Sequence, residues 1–181
     1  MADVKAAIDF VLRQEDSTLT GNVTTLKGDT GGATRFGLAS RSHPELVASG
    51  FFDTVKTPRD AALVIAEAVY NSAYAAPLDI AGINDQAAAA AVLSFGVNGG
   101  LLGDGKLFQQ ACVASGKPVT VDGHVGPGTL AAANSLNAGV LLRAFSAQAL
   151  GFYARLAVED PQDARFLTGW DNRVAAWSAG G

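Results

Sequence analysis

Residues 84–100 read Asn84-Asp85-Gln86-Ala87-Ala88-Ala89-Ala90-Ala91-Val92-Leu93-Ser94-Phe95-Gly96-Val97-Asn98-Gly99-Gly100. From Ala87 to Val97 the segment is apolar almost all round. It is too long for an ordinary strand, and its five consecutive alanines favour a helix. A helix with apolar side chains on most of its circumference belongs inside a protein. Asn98-Gly99-Gly100 ends it with residues that tolerate left-handed geometry. A mainly α protein built around a buried helix is therefore expected.

The composition agrees. The chain has 181 residues, 49% of them hydrophobic and 17% charged, which points to one domain with a sizeable core. Alanine, roughly a fifth of the residues, lets helices approach closely. A net charge of -4 and a pI near 5.0 leave no basic surplus for nucleic acid. The single cysteine, Cys112, excludes an intrachain disulfide and lies in an apolar stretch where an inert buried thiol is expected. With only His43 and His124, and neither Cys-x-x-Cys nor His-Glu-x-x-His, no metal site is expected. The acidic start Met1-Ala2-Asp3 is unlike a signal peptide. The most apolar long helix, near 140–156, is interrupted by Arg143, Gln148 and Arg155, so no membrane insertion is expected.

Before the central segment, Val4, Ile8, Val11 and Leu12 recur at helical spacing and the stripe runs on into Glu15. Residues 16–37 break the rhythm with five glycines. There Val23-Thr24-Thr25-Leu26 followed by Lys27-Gly28-Asp29 predicts a small hairpin or β-loop. Thr57-Pro58 reads as an N-cap with proline at the first helical position. That helix would carry Leu63, Ala66, Tyr70 and Tyr74 on one face and stop before Pro77. After the central segment, helices are expected near 106–114, near 129–134, and from the cap Asn137 to about Val158. The tail 165–177 is read as helical but broken at Gly169.

Chemistry concentrates where the helical pattern fails. A carboxylate continuing an apolar stripe, as Glu15 does, is partly withdrawn from water, a setting in which a carboxylic acid can protonate a leaving oxygen. Alternatively Glu15 sits past the helix end and meets water. Gly28-Asp29-Thr30-Gly31-Gly32-Ala33-Thr34-Arg35-Phe36-Gly37 offers paired glycines for close backbone approach, with an acid and a hydroxyl on one loop. The same residues could instead form a self-bonded turn. It is no phosphate loop, because the Gly-Lys-Ser/Thr ending is absent.

A glutamate closing the first helix, followed by Asp29-Thr30-Gly31-Gly32-Ala33-Thr34-Arg35-Phe36-Gly37-Leu38, resembles the glycoside hydrolase 108 family of N-acetylmuramidases. Val97-Asn98-Gly99-Gly100 resembles the family's Val-Asn-x-Gly segment. Val121-Asp122-Gly123-His124-Val125-Gly126-Pro127-Gly128-Thr129 resembles its associated peptidoglycan-binding signature, and Gly169-Trp170-Asp171-Asn172-Arg173 its closing pattern. Asp16-Ser17 stands where the family has Gly-Gly. Asp29 lies farther from Glu15 than is usual, and Ala75 replaces a common tryptophan.

The resemblance implies a lysozyme-like helical fold over 1–181, with a catalytic part (1–100) and a peptidoglycan-binding-like helical part (101–181) packed on it. It implies that Glu15 is the general acid and that Asp29 and Thr34 position water or stabilise charge. Gly32, Phe36, Tyr70 and Asn98 would touch substrate. No cofactor is implied, the partner is the peptidoglycan glycan strand, and the chain is expected to be a monomer. Asp16 is an alternative second acid. The 121–129 signature reads equally as turn and cap residues, Trp170 and Trp177 read as core, and Arg173 is expected to pair with an acid. A lytic transglycosylase and a non-catalytic wall-binding protein are the rival functions. Without an export signal, access to the wall would require a holin-type lesion or a secretion apparatus.

Overall fold

The computed structural model describes residues 1–25 and 32–178. Among these, eight α-helices surround one contiguous apolar core. The first, α1 (Val4–Glu15), is capped by the Asp3 carboxylate, which accepts from the Ala6 amide, and buries Ala7, Ile8, Val11 and Leu12. Its apolar stripe thus packs inward and delivers Glu15 at the end of the last turn.

A two-residue ladder follows: β1 (Thr34–Arg35) pairs antiparallel with β2 (Leu38–Ala39), and Thr24 bridges Thr34. The β-region is where it was expected, but its described hairpin turns at Phe36-Gly37. The expected turn at Lys27-Gly28-Asp29 lies outside the described residues. Both turning residues have left-handed backbones, Phe36 at φ 49° and Gly37 at φ 78°. A short helix absent from the sequence reading, α2 (Pro44–Ala48), comes next.

Helix α3 (Arg59–Val69) begins at Pro58, which itself occupies the cap position. Thr57 does not cap it, because its hydroxyl donates to the Gly50 carbonyl (3.0 Å). The helix then widens into a π-turn, Tyr70–Ala75, and ends before Pro77. Such π-bulges are frequent at functional sites, and this one carries Tyr70 and Tyr74.

Helix α4 (Gln86–Gly99) is the buried helix of the sequence reading: Ala88 to Gly96 are all shielded from solvent. It packs against α1, α5, α7 and α8, so both halves of the chain share it. Gly100, at φ 83°, ends it and leads directly into α5 (Leu101–Ala114). That helix starts five residues before the predicted Lys106, because Gly103 and Gly105 are helical in spite of their low propensity. A Cβ at Gly105 would collide with the Gly123 carbonyl, so close contact with a neighbouring loop explains that glycine.

Helices α6 (Pro127–Asn134), α7 (Ala138–Glu159) and α8 (Leu167–Trp177) complete the chain. The Asn137 side chain caps α7 as expected, accepting from Gly139. A 3-10 turn (Pro161–Phe166) precedes α8, and Gly169 does not break the helix. Burial of Val174 and Trp177, with Trp177 stacked on Phe145, outweighs the local cost of one glycine. No described helix is long and apolar enough to cross a membrane.

Candidate active site

Glu15 stands at the rim of a cleft of about 400 Å³ between the end of α1 and the β-loop. Thr34, Phe36 and Gly37 line it together with Asp16, Thr20, Asn22 and Thr24, and Thr24 is bridged directly to Thr34. Hydroxyls, an amide and carboxylates dominate this lining, which suits a ligand rich in hydroxyl groups.

The fit around Glu15 is tight. A Cβ at Gly37 would lie 2.6 Å from both Glu15 Cγ and the Tyr70 hydroxyl oxygen. Only glycine permits both the left-handed turn and this approach. Beneath it, Tyr70 is fully buried and donates to the Phe36 carbonyl (2.9 Å). Burial first, and then the Glu15 charge, push the Tyr70 phenol well above its ordinary range, so it remains a neutral donor. Tyr70 therefore supports the strained turn from below, enclosed beneath the cleft. Phe36 is also nearly all enclosed, leaving only part of its surface on the cleft.

The β-loop is anchored by Arg35, a residue that motif reading passed over. Its buried guanidinium donates to the carbonyls of Gly21 (2.8 Å), Phe51 (2.5 Å) and Thr57 (2.9 Å). It also lies over the rings of Phe36 and Phe51. The alternation of Thr34 towards the cleft and Arg35 towards the core was a usable strand signal.

Asp16 faces the cleft but is committed to the loop. Its carboxylate accepts from the Gly21 amide (2.7 Å) and the Thr20 hydroxyl (3.2 Å). Burial acts to raise the Asp16 carboxyl, yet these hydrogen bonds together hold it below the usual carboxylate range. Asp29 lies outside the described residues. Gly32, at φ 78°, packs against Ser40 and does not line the cleft beside Glu15. Asn98 does not line it either; its amide donates to the Tyr153 hydroxyl (2.8 Å).

Arg173 reaches Glu15 from α8, with Nη2 donating to Oε1 at 2.8 Å. Arg173 was expected to pair with an acid, and that acid is Glu15, 158 positions away. On the far side of the π-turn, partly buried Tyr74 meets His43 (3.2 Å), and His43 meets Glu45 (3.1 Å). Trp170 is stacked on Tyr153, with ring centroids 4.7 Å apart, and Phe166 packs beside it, so it serves packing.

The 121–129 signature forms a closed turn around Gln109. The Gln109 amide donates to Asp122 (2.8 Å), to the His124 carbonyl (3.0 Å) and to Thr129 (3.3 Å), while its oxygen accepts from the Gly123 amide (2.7 Å). Among the described residues no cluster of three or more His, Cys, Asp or Glu could hold a metal. Burial pushes the Cys112 thiol up to about 11, away from nucleophilic use.

A family model, Glycosyl hydrolase 108, matches residues 8–100, just over half of the chain. The chain belongs to the glycosyl hydrolase 108 family. A second model, described as a predicted peptidoglycan domain, matches residues 105–175. Among solved structures, SagA from Brucella abortus is similar at a TM-score of 0.71 and 20% identity, covering 96% of this chain and 91% of that one. At that identity the likeness speaks for a shared fold. No curated protein matches the chain by sequence. This family member is thus a glycoside hydrolase of peptidoglycan, with a mainly α, lysozyme-like fold.

Proposed function

We propose that the chain hydrolyses the β-1,4 bond between N-acetylmuramic acid and N-acetylglucosamine, with Glu15 as the general acid. The observation that carries this reading is the placement of Glu15: it is four-fifths buried, pinned by Arg173, and opens onto a polar cleft walled by the β-loop. A glycosidase acid must be fixed within hydrogen-bond reach of the leaving oxygen and shielded from bulk water.

In the proposed reaction a glycan strand lies in the cleft. The Glu15 proton moves to the glycosidic oxygen, the C1–O bond breaks with its electron pair passing to that oxygen, and water adds to C1 as it gives up a proton to the Asp29 carboxylate. Thr34 lines the cleft with Glu15 and Asp16, where its hydroxyl can orient that water, with Asp29 as its activating partner. Asp16, already holding the loop shut, acts on loop geometry. We further propose that the enzyme works as a monomer and reaches the wall after release by a membrane lesion or a secretion apparatus.

Glu15→Gln tests the assignment. Turbidity loss of outer-membrane-stripped cells should fall by about a thousand-fold or more with the fold intact, and undiminished lysis refutes the role. Mass spectrometry of the digest should show reducing muramic ends. Anhydro ends would instead identify a lytic transglycosylase.

A further inference from the structure

Arg173 belongs to the part of the chain that matches the peptidoglycan-domain model, yet its side chain ends on Glu15. Both groups are largely enclosed, 16% and 19% exposed, so this is no loose surface pair. The guanidinium is itself held. Nη1 donates to the Ser94 hydroxyl (3.4 Å), Ser94 donates to Gln14 Oε1 (2.5 Å), and Gln14 Nε2 donates to the Arg173 carbonyl (3.3 Å). Gln14 and Glu15 are neighbours on α1, Ser94 lies on α4 and Arg173 on α8. Arg173, Ser94 and Gln14 close a hydrogen-bonded ring across three helices, and Arg173 extends from it to Glu15. Ser94 is the one polar side chain in the buried apolar run of α4, and this ring is what it serves.

We propose that Arg173 is a positioning residue for Glu15, fixing which carboxyl oxygen carries the transferable proton. This rests on Glu15 being the general acid. A guanidinium only donates, so the oxygen it meets, Oε1, acts as acceptor and the proton resides on Oε2. Arginine stays protonated throughout, so it orients the acid without competing for its proton. When the Oε2–H bond breaks and the proton passes to the glycosidic oxygen, the new carboxylate meets a cation already in place. The bond from Nη2 strengthens as that charge develops, which favours the transition state over the resting complex. The last helix thereby completes a site that the first hundred residues begin.

The test measures kcat and KM on soluble uncross-linked glycan strands for Arg173→Ala, Arg173→Lys, Ser94→Ala and Glu15→Gln, with circular dichroism for folding. In Arg173→Ala, kcat is expected to fall about 100-fold with KM nearly unchanged. Millimolar methylguanidinium should restore about ten-fold of that loss, and lysine should recover part of it. Loss without rescue by either cation, or a loss confined to KM, overturns the proposal. If Arg173→Ala does not fold, Ser94→Ala decides: a kcat reduced several-fold at constant KM supports the ring, and an unchanged kcat overturns it. An inactive Glu15→Gln beside a fully active Arg173→Ala refutes the positioning role alone. An active Glu15→Gln refutes the acid assignment, and the positioning role falls with it.

Discussion

Two glycine-rich loops of similar composition have opposite fates in this molecule. The loop from Asp16 to Ala39 and the loop from Lys117 to Pro127 each mix glycines with aspartate and threonine. The second folds onto Gln109, which meets Asp122, Gly123, His124 and Thr129 through both ends of one amide. The Asp122 carboxylate and the Gly123 and His124 backbone are used internally, and Gly123 lies against α5. In the first loop Arg35 is bonded to backbone beneath and the Phe36 carbonyl is held by Tyr70 of the π-turn, while Thr34 and the neighbouring Glu15 line open space. Among the described residues, two of the three non-glycine residues with left-handed backbones, Leu19 and Phe36, lie in it, and such conformations persist where the surroundings enforce them. A motif marks a site only where its polar groups are left unmatched by the fold.

That contrast can be broken from either side. The largest effect is expected in Gly37→Ala. The methyl would meet Glu15 and Tyr70 at a left-handed position, displacing the acid by about an ångström and lowering kcat about 100-fold. Assays of the folded variant against its thermal midpoint would show activity falling far more than stability. Gln109→Ala should do the reverse. It leaves the Gly123 amide and its neighbours unpartnered at a cost of about 2 kcal/mol, read by urea unfolding, while activity per folded molecule stays near that of the parent.

Two carboxylates sharpen the comparison through pH. Asp104, on α5 against Gly96, is wholly buried and neither oxygen has a partner among the described residues. Burial raises its carboxyl well above the usual range. Stability from this group is full below the ordinary carboxylate range and is lost as pH rises towards its raised value. Asp104→Asn should therefore remove part of the decline from pH 4 to 8, by about 1 kcal/mol at the upper end. Asp16 has the opposite sign. Held low by its loop, it contributes stability present above the ordinary carboxylate range and lost as pH falls through its depressed value. Asp16→Asn should flatten the acid limb of the unfolding curve, the smallest of these effects, visible in midpoints compared at pH 3 and 6.

Much of the fold was legible because it rests on local patterns. The periodicity of α1, the all-round apolar run of α4 and the cap at Asn137 each act within a few residues. The misreadings came where distant packing overrode local preference. Gly169 continues α8 because Trp177 is stacked on Phe145, and Thr57 leaves the cap position to bond Gly50. At the site, motif and stripe brought Glu15 and Thr34 to the same cleft. Strand alternation could point Arg35 inward, but nothing local could give the burial of Tyr70 or the partners of Arg35, which lie 34 and 14 to 22 residues away.

By itself the sequence determined a helical scaffold around a buried alanine-rich helix, interrupted once by a glycine-rich loop after a carboxylate. Helix propensity, capping and hydrophobic periodicity act over a few residues and are written in order along the chain. Only the tertiary structure decided that the interruption opens as a cleft, that the later signature closes on Gln109, and that Arg173 meets Glu15. Those outcomes depend on which side chains the packed helices bring within about 3 Å of one another, a distance at which hydrogen bonds form and which no spacing in the sequence encodes.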